Sequence, residues 1–240
     1  MVSKNQLKLI KSLHQKKYRN QYGLFFVEGL KTVNELLTSH FEVEHILVTR
    51  SMKQCFEKNE TLLVSEIDLK KISSLQTPSG VLGVFKIPKM KPLDFADWTL
   101  ALDSVRDPGN LGTVIRLCDW FGISNLICSP TTVDCYNPKV LQATMGSIAR
   151  VNIVYQDLEE LVVQSELPVF GAFMDGDSVY EKVIPKKGIL VMGNEANGIS
   201  TDLEKMIEKR VSIPQFGTST TESLNVATAT AILLNEIRRG

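Results

Sequence analysis

The chain has 240 residues, 43% hydrophobic and 22% charged, with nine prolines, fifteen glycines and no biased tract, a composition that excludes a disordered or fibrous protein. Lysine and arginine total 27, aspartate and glutamate 27, and the isoelectric point of about 6.8 lies below the strongly basic range that marks a nucleic-acid binder by composition alone. No apolar run reaches the roughly 18 residues that span a bilayer, and the charged opening MVSKNQLKLIKSLHQKKYRNQ lacks the apolar centre of a secretion signal, so a cytoplasmic protein without membrane attachment is expected.

In chain order, Leu7, Ile10 and Leu13 fall at helical spacing in SKNQLKLIKSLH, and YGLFFVEG reads as a short buried strand closed by a glycine. A helix in LKTVNELLTS, a strand in VEHILVT, a polar helix through Cys55 and Phe56, a strand in TLLV, a helix from Ser65 and a strand in SGVLGVFK complete a small α/β unit over residues 1–86. Lys4, Lys8, Lys11, Lys16, Lys17 and Arg19 all precede the first acidic residue, Glu28, so a basic face survives the neutral total. Two prolines and several charges without a period in IPKMKPLDFAD place a linker at 87–97.

The second domain, 98–240, carries the short apolar runs WTLALD, NLICS, VNIVY, PVFGAF, GILVMG and RVSIP, separated by segments with helical periodicity. Such alternation predicts strands buried on both faces, hence a doubly wound, mostly parallel sheet. Ligands bind beyond the carboxyl ends of such strands, which directs attention to the segments after Asp103, Met192 and Pro214. Of the four cysteines, Cys55, Cys118, Cys128 and Cys135, none forms a C-x-x-C pair, and Cys118 and Cys128 lie in apolar stretches, so reduced core thiols are expected rather than disulfides or zinc ligands.

After the first of these strands comes SVRDPGNLGTVIRLCDWFG, where Val114, Leu117, Cys118 and Phe121 mark a core-facing helix and Arg116 points away from that stripe. Taken alone, Asn110 is explained as an N-cap, the glycines as a turn and Arg116 as a surface partner for Asp119. GILVMGNEANGIS follows the second, its Gly193 and Gly198 at P-loop spacing; Ile199 stands where the phosphate-reaching lysine belongs, and the chain has no G-x-G-x-x-G, so the glycines serve some other close backbone approach. Thr201 with Glu204 reads as a capping box. Third is VSIPQFGTSTTESLNVATATAILLNEIRR, in which Ser219 and Glu222 form a further capping box and the small residues from Ala227 to Ala231 let another backbone come close, within this chain or from a second copy.

Together DPGNLGTVIR, VMGNEANGIS and SIPQFGTSTTESLNVA resemble the signature of the SpoU family of RNA ribose methyltransferases in the SPOUT superfamily, in order and spacing across the second domain. The stretch from KYRNQYGLFFVEGLK to SGVLGVFK is similar to the RNA-binding domain often attached to that family. The resemblance implies methyl transfer from S-adenosylmethionine to a ribose 2'-hydroxyl in structured rRNA or tRNA, no metal, a deep trefoil knot in the sheet domain, and a homodimer through that domain. It places the cofactor against Met192, Gly193, Gly198, Ile213 and Leu224, and the reactive centre at Asn110, Arg116, Glu195, Ser223 and Asn225. Arg116 would be the base by the family's proposal; a guanidinium stays charged in proteins, so phosphate binding and alkoxide stabilisation are the alternative.

The TSTT between Gly217 and Glu222 is longer than the family's commonest third motif, so contacts there do not carry over. Lys16, Lys17 and Arg19 are the candidate phosphate contacts of the first domain. Two other classes compete: a non-catalytic RNA-binding protein on the same fold, for which Gly80-Val81-Leu82-Gly83 mimics the GXXG of KH domains, and a nucleotide-binding α/β enzyme.

Overall fold

The computed structural model describes residues 1–181, 183–217 and 223–239. Two compact units make up the chain, one of residues 1–89 with 134–149, the other of residues 90–133 with 150–240.

In the first unit, α1 (Lys4–Ser12) is capped by Ser3, whose hydroxyl accepts from the Gln6 amide at 3.2 Å while the Gln6 side chain accepts from the Ser3 amide at 2.9 Å. Then follow α2 (Lys16–Tyr22), β1 (Leu24–Glu28), α3 (Leu30–Leu37), β2 (Val43–Val48), β3 (Leu62–Leu63), α4 (Glu66–Ile72) and β4 (Val81–Lys86). The polar helix expected through Cys55 and Phe56 is a 3₁₀ segment, Arg50–Phe56. The strands order β1-β4-β2-β3, with β4 antiparallel to both neighbours and β3 parallel to β2. Ile10, Leu13, Phe26, Leu47, Leu69 and Leu82 form the core on one face. Val81 and Leu82 are fully buried inside β4, so Gly80 to Gly83 is no exposed phosphate-clamping loop, and the KH-like reading is withdrawn.

Residues 134–149, expected in the second domain, pack with this unit instead. Asn137 caps α6 (Pro138–Thr144), whose buried Val140 and Leu141 provide an apolar face, and Tyr136 lies 4.7 Å from the Phe25 ring. Arg19 anchors the segment. Only 2% exposed, it donates to Asp134 Oδ2 from Nε at 3.0 Å and from Nη2 at 2.5 Å, and from Nη1 to the carbonyls of Leu13 and His14 at 2.8 and 3.0 Å. A guanidinium so occupied is unavailable to RNA, which corrects its assignment as a phosphate contact; Lys16 and Lys17 are exposed. Breaking a buried pair leaves its partner charge uncompensated, so Arg19→Met should destabilise the protein by about 3 kcal/mol in urea unfolding. A loss under about 1 kcal/mol would show that Asp134 is solvated without it.

The second unit holds a six-stranded parallel sheet in the order β10-β8-β9-β5-β6-β7. Its elements are β5 (Thr99–Leu102), α5 (Pro108–Phe121), β6 (Asn125–Cys128), β7 (Asn152–Tyr155), α7 (Leu158–Gln164), β8 (Val169–Ser178), β9 (Ile189–Met192), α8 (Thr201–Met206), β10 (Lys209–Ser212) and α9 (Val226–Arg239). Every residue of β5, β6 and β9 is buried, as expected for strands covered on both faces. On α9, Val226, Ala227, Thr230, Leu233 and Leu234 are buried, and the helix packs against α5 of the same chain. Thr201 is the first residue of α8, not its cap, and Glu204 pairs with Arg210 at 2.8 Å, so no capping box forms there.

All four cysteines are free, three of them buried, and burial pushes the Cys118 thiol far above its ordinary range, which keeps it protonated and inert. Among the described residues no helix is long and apolar enough to cross a membrane, and no group of three or more His, Cys, Asp or Glu could hold a metal.

Candidate active site

The loops after β5 and β9 are laced together by polar groups, of which Asp103 is buried and Ser104 and Asn194 are half-buried. Asp103, 5% exposed, accepts the Ser104 hydroxyl on Oδ1 at 2.9 Å and the Ser200 amide on Oδ2 at 2.7 Å. Ser104 adopts a left-handed backbone, φ 58°, and its carbonyl accepts from Asn194 Nδ2 at 2.5 Å. Asn194 in turn accepts the amides of Ala196 and Asn197 on Oδ1 and exchanges both backbone hydrogen bonds with Gly198, at 2.8 and 3.0 Å. This doubles the chain back on itself over residues 194–198. A Cβ at Gly193 would stand 2.2 Å from the Gly198 carbonyl carbon and 2.3 Å from the Ile199 nitrogen, and Gly198 has φ +68°. The close approach that these glycines serve is the loop's own closure.

Asp107 caps α5 by accepting the Asn110 amide at 2.8 Å, with Pro108 as the first helical residue. Asn110 is therefore inside the first turn and is not the cap, which frees its side chain. Its Nδ2 donates to Glu195 Oε1 at 2.9 Å and its Oδ1 accepts from Asn225 Nδ2 at 2.9 Å. The chain of bonds fixes both amide orientations. Asn225 Oδ1 accepts the Ala227 and Thr228 amides at the start of α9, so its NH₂ must turn to the Asn110 oxygen, and the Asn110 NH₂ then meets the carboxylate. The first turn of α5 and two loops, sequence-distant by 85 and 115 residues, meet in one network at the solvent-accessible surface.

Arg116 sits further along α5, exposed, with no hydrogen bond or ion pair among the described residues. Asp119, its expected surface partner, is gripped by Arg150, whose Nε lies 2.9 Å from both carboxylate oxygens. Of the predicted reactive centre, then, Asn110, Glu195 and Asn225 are brought together by direct bonds, and Arg116 and Ser223 are exposed outside that network. Of the predicted cofactor positions, Met192 is buried and its carbonyl accepts the Asp103 amide at 2.9 Å, Ile213 is half-buried, and Leu224 is 48% exposed. The TSTT segment and the Ser219 and Glu222 capping box lie outside the described residues. Sequence reasoning missed Asp103, Ser104 and Asn194. The available signal was position: a carboxylate closing a fully apolar strand, and an asparagine directly after a strand-ending glycine.

Residues 97–235 match the model of the SpoU rRNA Methylase family, and residues 4–83 match the MRM3-like substrate binding domain. The chain is 32% identical to the 23S rRNA (guanosine(2553)-2'-O)-methyltransferase RlmP of Bacillus subtilis, over 98% of this chain and 97% of the relative. Among solved structures, a Porphyromonas gingivalis protein assigned to the TrmH family of RNA methyltransferases superposes with a TM-score of 0.91 at 39% identity, covering 100% of this chain and 99% of that one. An AdoMet-bound rRNA methyltransferase from Sinorhizobium meliloti gives 0.87 at 31% identity, covering 100% and 97%. With the family model spanning more than half its length and the polar network falling within the matched region, the chain belongs to the SpoU family of rRNA methylases.

Proposed function

We propose that the protein transfers a methyl group from S-adenosylmethionine to a ribose 2'-hydroxyl of ribosomal RNA. The observation that carries this is the Asn225 to Asn110 to Glu195 network, which gathers the start of α5 and two loops of the family's transfer domain, with a guanidinium that has no ion-pair partner among the described residues six residues along α5 from Asn110. A relative of almost equal length is a 23S rRNA 2'-O-methyltransferase, and a close structural neighbour binds AdoMet, which supports the substrate and cofactor class.

The cofactor supplies, when bound, a methyl group on a positively charged sulfur. Met192, Gly193, Gly198, Ile213 and Leu224 would hold it. The residues fit: Ile213 and Leu224 leave apolar surface accessible to flank an adenine, and among the described residues nothing lies within 4 Å of a Cβ built at Gly198 or Gly217, so both loops leave backbone open to a ligand. Arg116, always charged, binds the neighbouring RNA phosphate in a fork and stabilises the negative charge on the 2'-oxygen, whose proton leaves to water or a phosphate oxygen. Asn110 and Glu195 hold the loops in place, and Ser223 and Asn225 close the site from the third loop.

The same reading includes a first domain at 1–86 that binds RNA, a transfer domain at 98–240 with a trefoil knot, and a homodimer through that domain in the cytoplasm. The exposed Trp120, on the helix that packs with α9, supports a second copy at this surface. Calorimetry should find one AdoMet site per chain, sedimentation at micromolar concentration a dimer, and labelled cofactor should mark ribose oxygens of rRNA. Absence of cofactor binding would leave a non-catalytic RNA-binding protein.

A further inference from the structure

Arg19 being buried, the basic character of the first unit must act from elsewhere. An open groove of about 540 Å³ lies in that unit, lined by Lys8, Lys11, His14, Tyr18, Lys71 and Ser73 among others, with no carboxylate among the described residues lining it. We propose that this groove binds a strand of the substrate RNA, Lys8 and Lys11 contacting phosphates and Tyr18 offering a platform for a base. The proposal rests on the RNA reading above and names the face on which the first unit meets its substrate.

The charge comes from α1. Lys8 and Lys11 are exposed, and neither makes a hydrogen bond or ion pair among the described residues. Being three apart on a helix they are neighbours, about 5–6 Å between Cβ atoms. Ile10 and Leu13, both fully buried, fix which way α1 faces, and the Ser3 and Gln6 box holds its start. Lys71 contributes less, since Asp68 holds it at 2.7 Å.

Hydrogen-bonding and stacking groups line the same groove. His14 Nε2 is 2.7 Å from the Ile72 carbonyl, which can only accept, so that nitrogen carries the proton. In that tautomer Nδ1 is an acceptor with no partner among the described residues, suited to a ribose hydroxyl or a base N–H. The Tyr18 ring stacks with Tyr22 at 6.3 Å and 14°, and the Tyr18 hydroxyl has no partner among the described residues. Cations at neighbouring positions, an aromatic face and an acceptor match an unpaired RNA strand; an acidic peptide would use the cations alone.

The test is a titration of a 23S rRNA transcript with wild type, Lys8→Gln/Lys11→Gln and Tyr18→Ala over a salt series, with AdoMet affinity measured on each. The double variant should bind at least about ten-fold more weakly and lower the slope of log affinity against log salt by about two. Tyr18→Ala should lose about ten-fold with the slope unchanged, and cofactor affinity should not move in either. A double variant with wild-type affinity and slope overturns the groove, as does a Tyr18→Ala protein of undiminished affinity together with displacement of the RNA by polyglutamate at matched charge. If wild type binds AdoMet but no RNA, the functional reading fails and the groove with it; if wild type methylates the transcript and the double variant binds equally well, only the groove fails.

Discussion

Replacing Arg116 with alanine should reduce methyl transfer to rRNA by about a hundred- to thousand-fold at saturating cofactor, while AdoMet affinity stays within about two-fold. The magnitude is that of removing one charged donor aimed at a developing oxyanion. Its direction follows from placement: Arg116 is exposed, lies on the helix that also carries Asn110, and is spent on no internal partner among the described residues. Because no described residue uses the side chain, folding should be unaffected, and the urea midpoint of Arg116→Ala should match wild type within the usual range for surface changes, about 0.5 kcal/mol. Arg116→Lys separates charge from geometry. It keeps the cation and loses the planar fork, so turnover should fall to an intermediate level, about ten-fold below wild type. A lysine enzyme with undiminished turnover would show that two-pronged phosphate binding is irrelevant, and an alanine enzyme with wild-type turnover would remove Arg116 from the chemistry altogether.

The central strands were legible in the residues, because β5, β6 and β9 are short apolar runs buried on both faces that leave no alternation to misread, whereas the end of β8, where MDGDS continues the strand to Ser178, carries no apolar run and was not. The outward face of α5 was legible for the same reason: helical period alone turns Arg116 from the Val114 stripe. What the sequence concealed were choices between chemically equivalent short polar residues. Asp107 and Asn110 are both good caps, and the proline at 108, which favours the first helical position, was the deciding sign. Ser200 and Thr201 pose the same ambiguity. Arg19 was misread because its neighbours Lys16 and Lys17 are exposed and its buried partner, Asp134, is 115 residues away. Long-range pairing of that kind leaves no local trace. It also explains the boundary: the segment from 134 to 149 leaves one unit and returns to it, and linear composition shows only the linker near residue 90.

Gly193→Ala should cost about 2–3 kcal/mol of stability and lower methyl transfer roughly a hundred-fold, a larger loss than any single hydrogen bond in the loop would give. The added Cβ would sit 2.2 Å from the Gly198 carbonyl carbon, and what it meets is backbone, which cannot swing aside as a side chain end would. Relief requires Asn194 and Gly198 to part, breaking their two backbone bonds and turning residues 195–197 outward. Glu195 then leaves Asn110, and Asn194 leaves the Ser104 carbonyl, so the strain introduced behind the loop is delivered to the network in front of it. Gly217→Ala is the control: its Cβ meets nothing within 4 Å and its backbone is not left-handed, so stability should stay within about 0.5 kcal/mol of wild type. Differential scanning calorimetry on the two variants separates loop closure from a general intolerance of added bulk, and initial rates on Gly193→Ala report its effect on transfer. If Gly193→Ala melts and turns over like wild type, the tight closure of residues 193–198 is not what positions Glu195, and the site must be held by Asp103 and Ser200 alone.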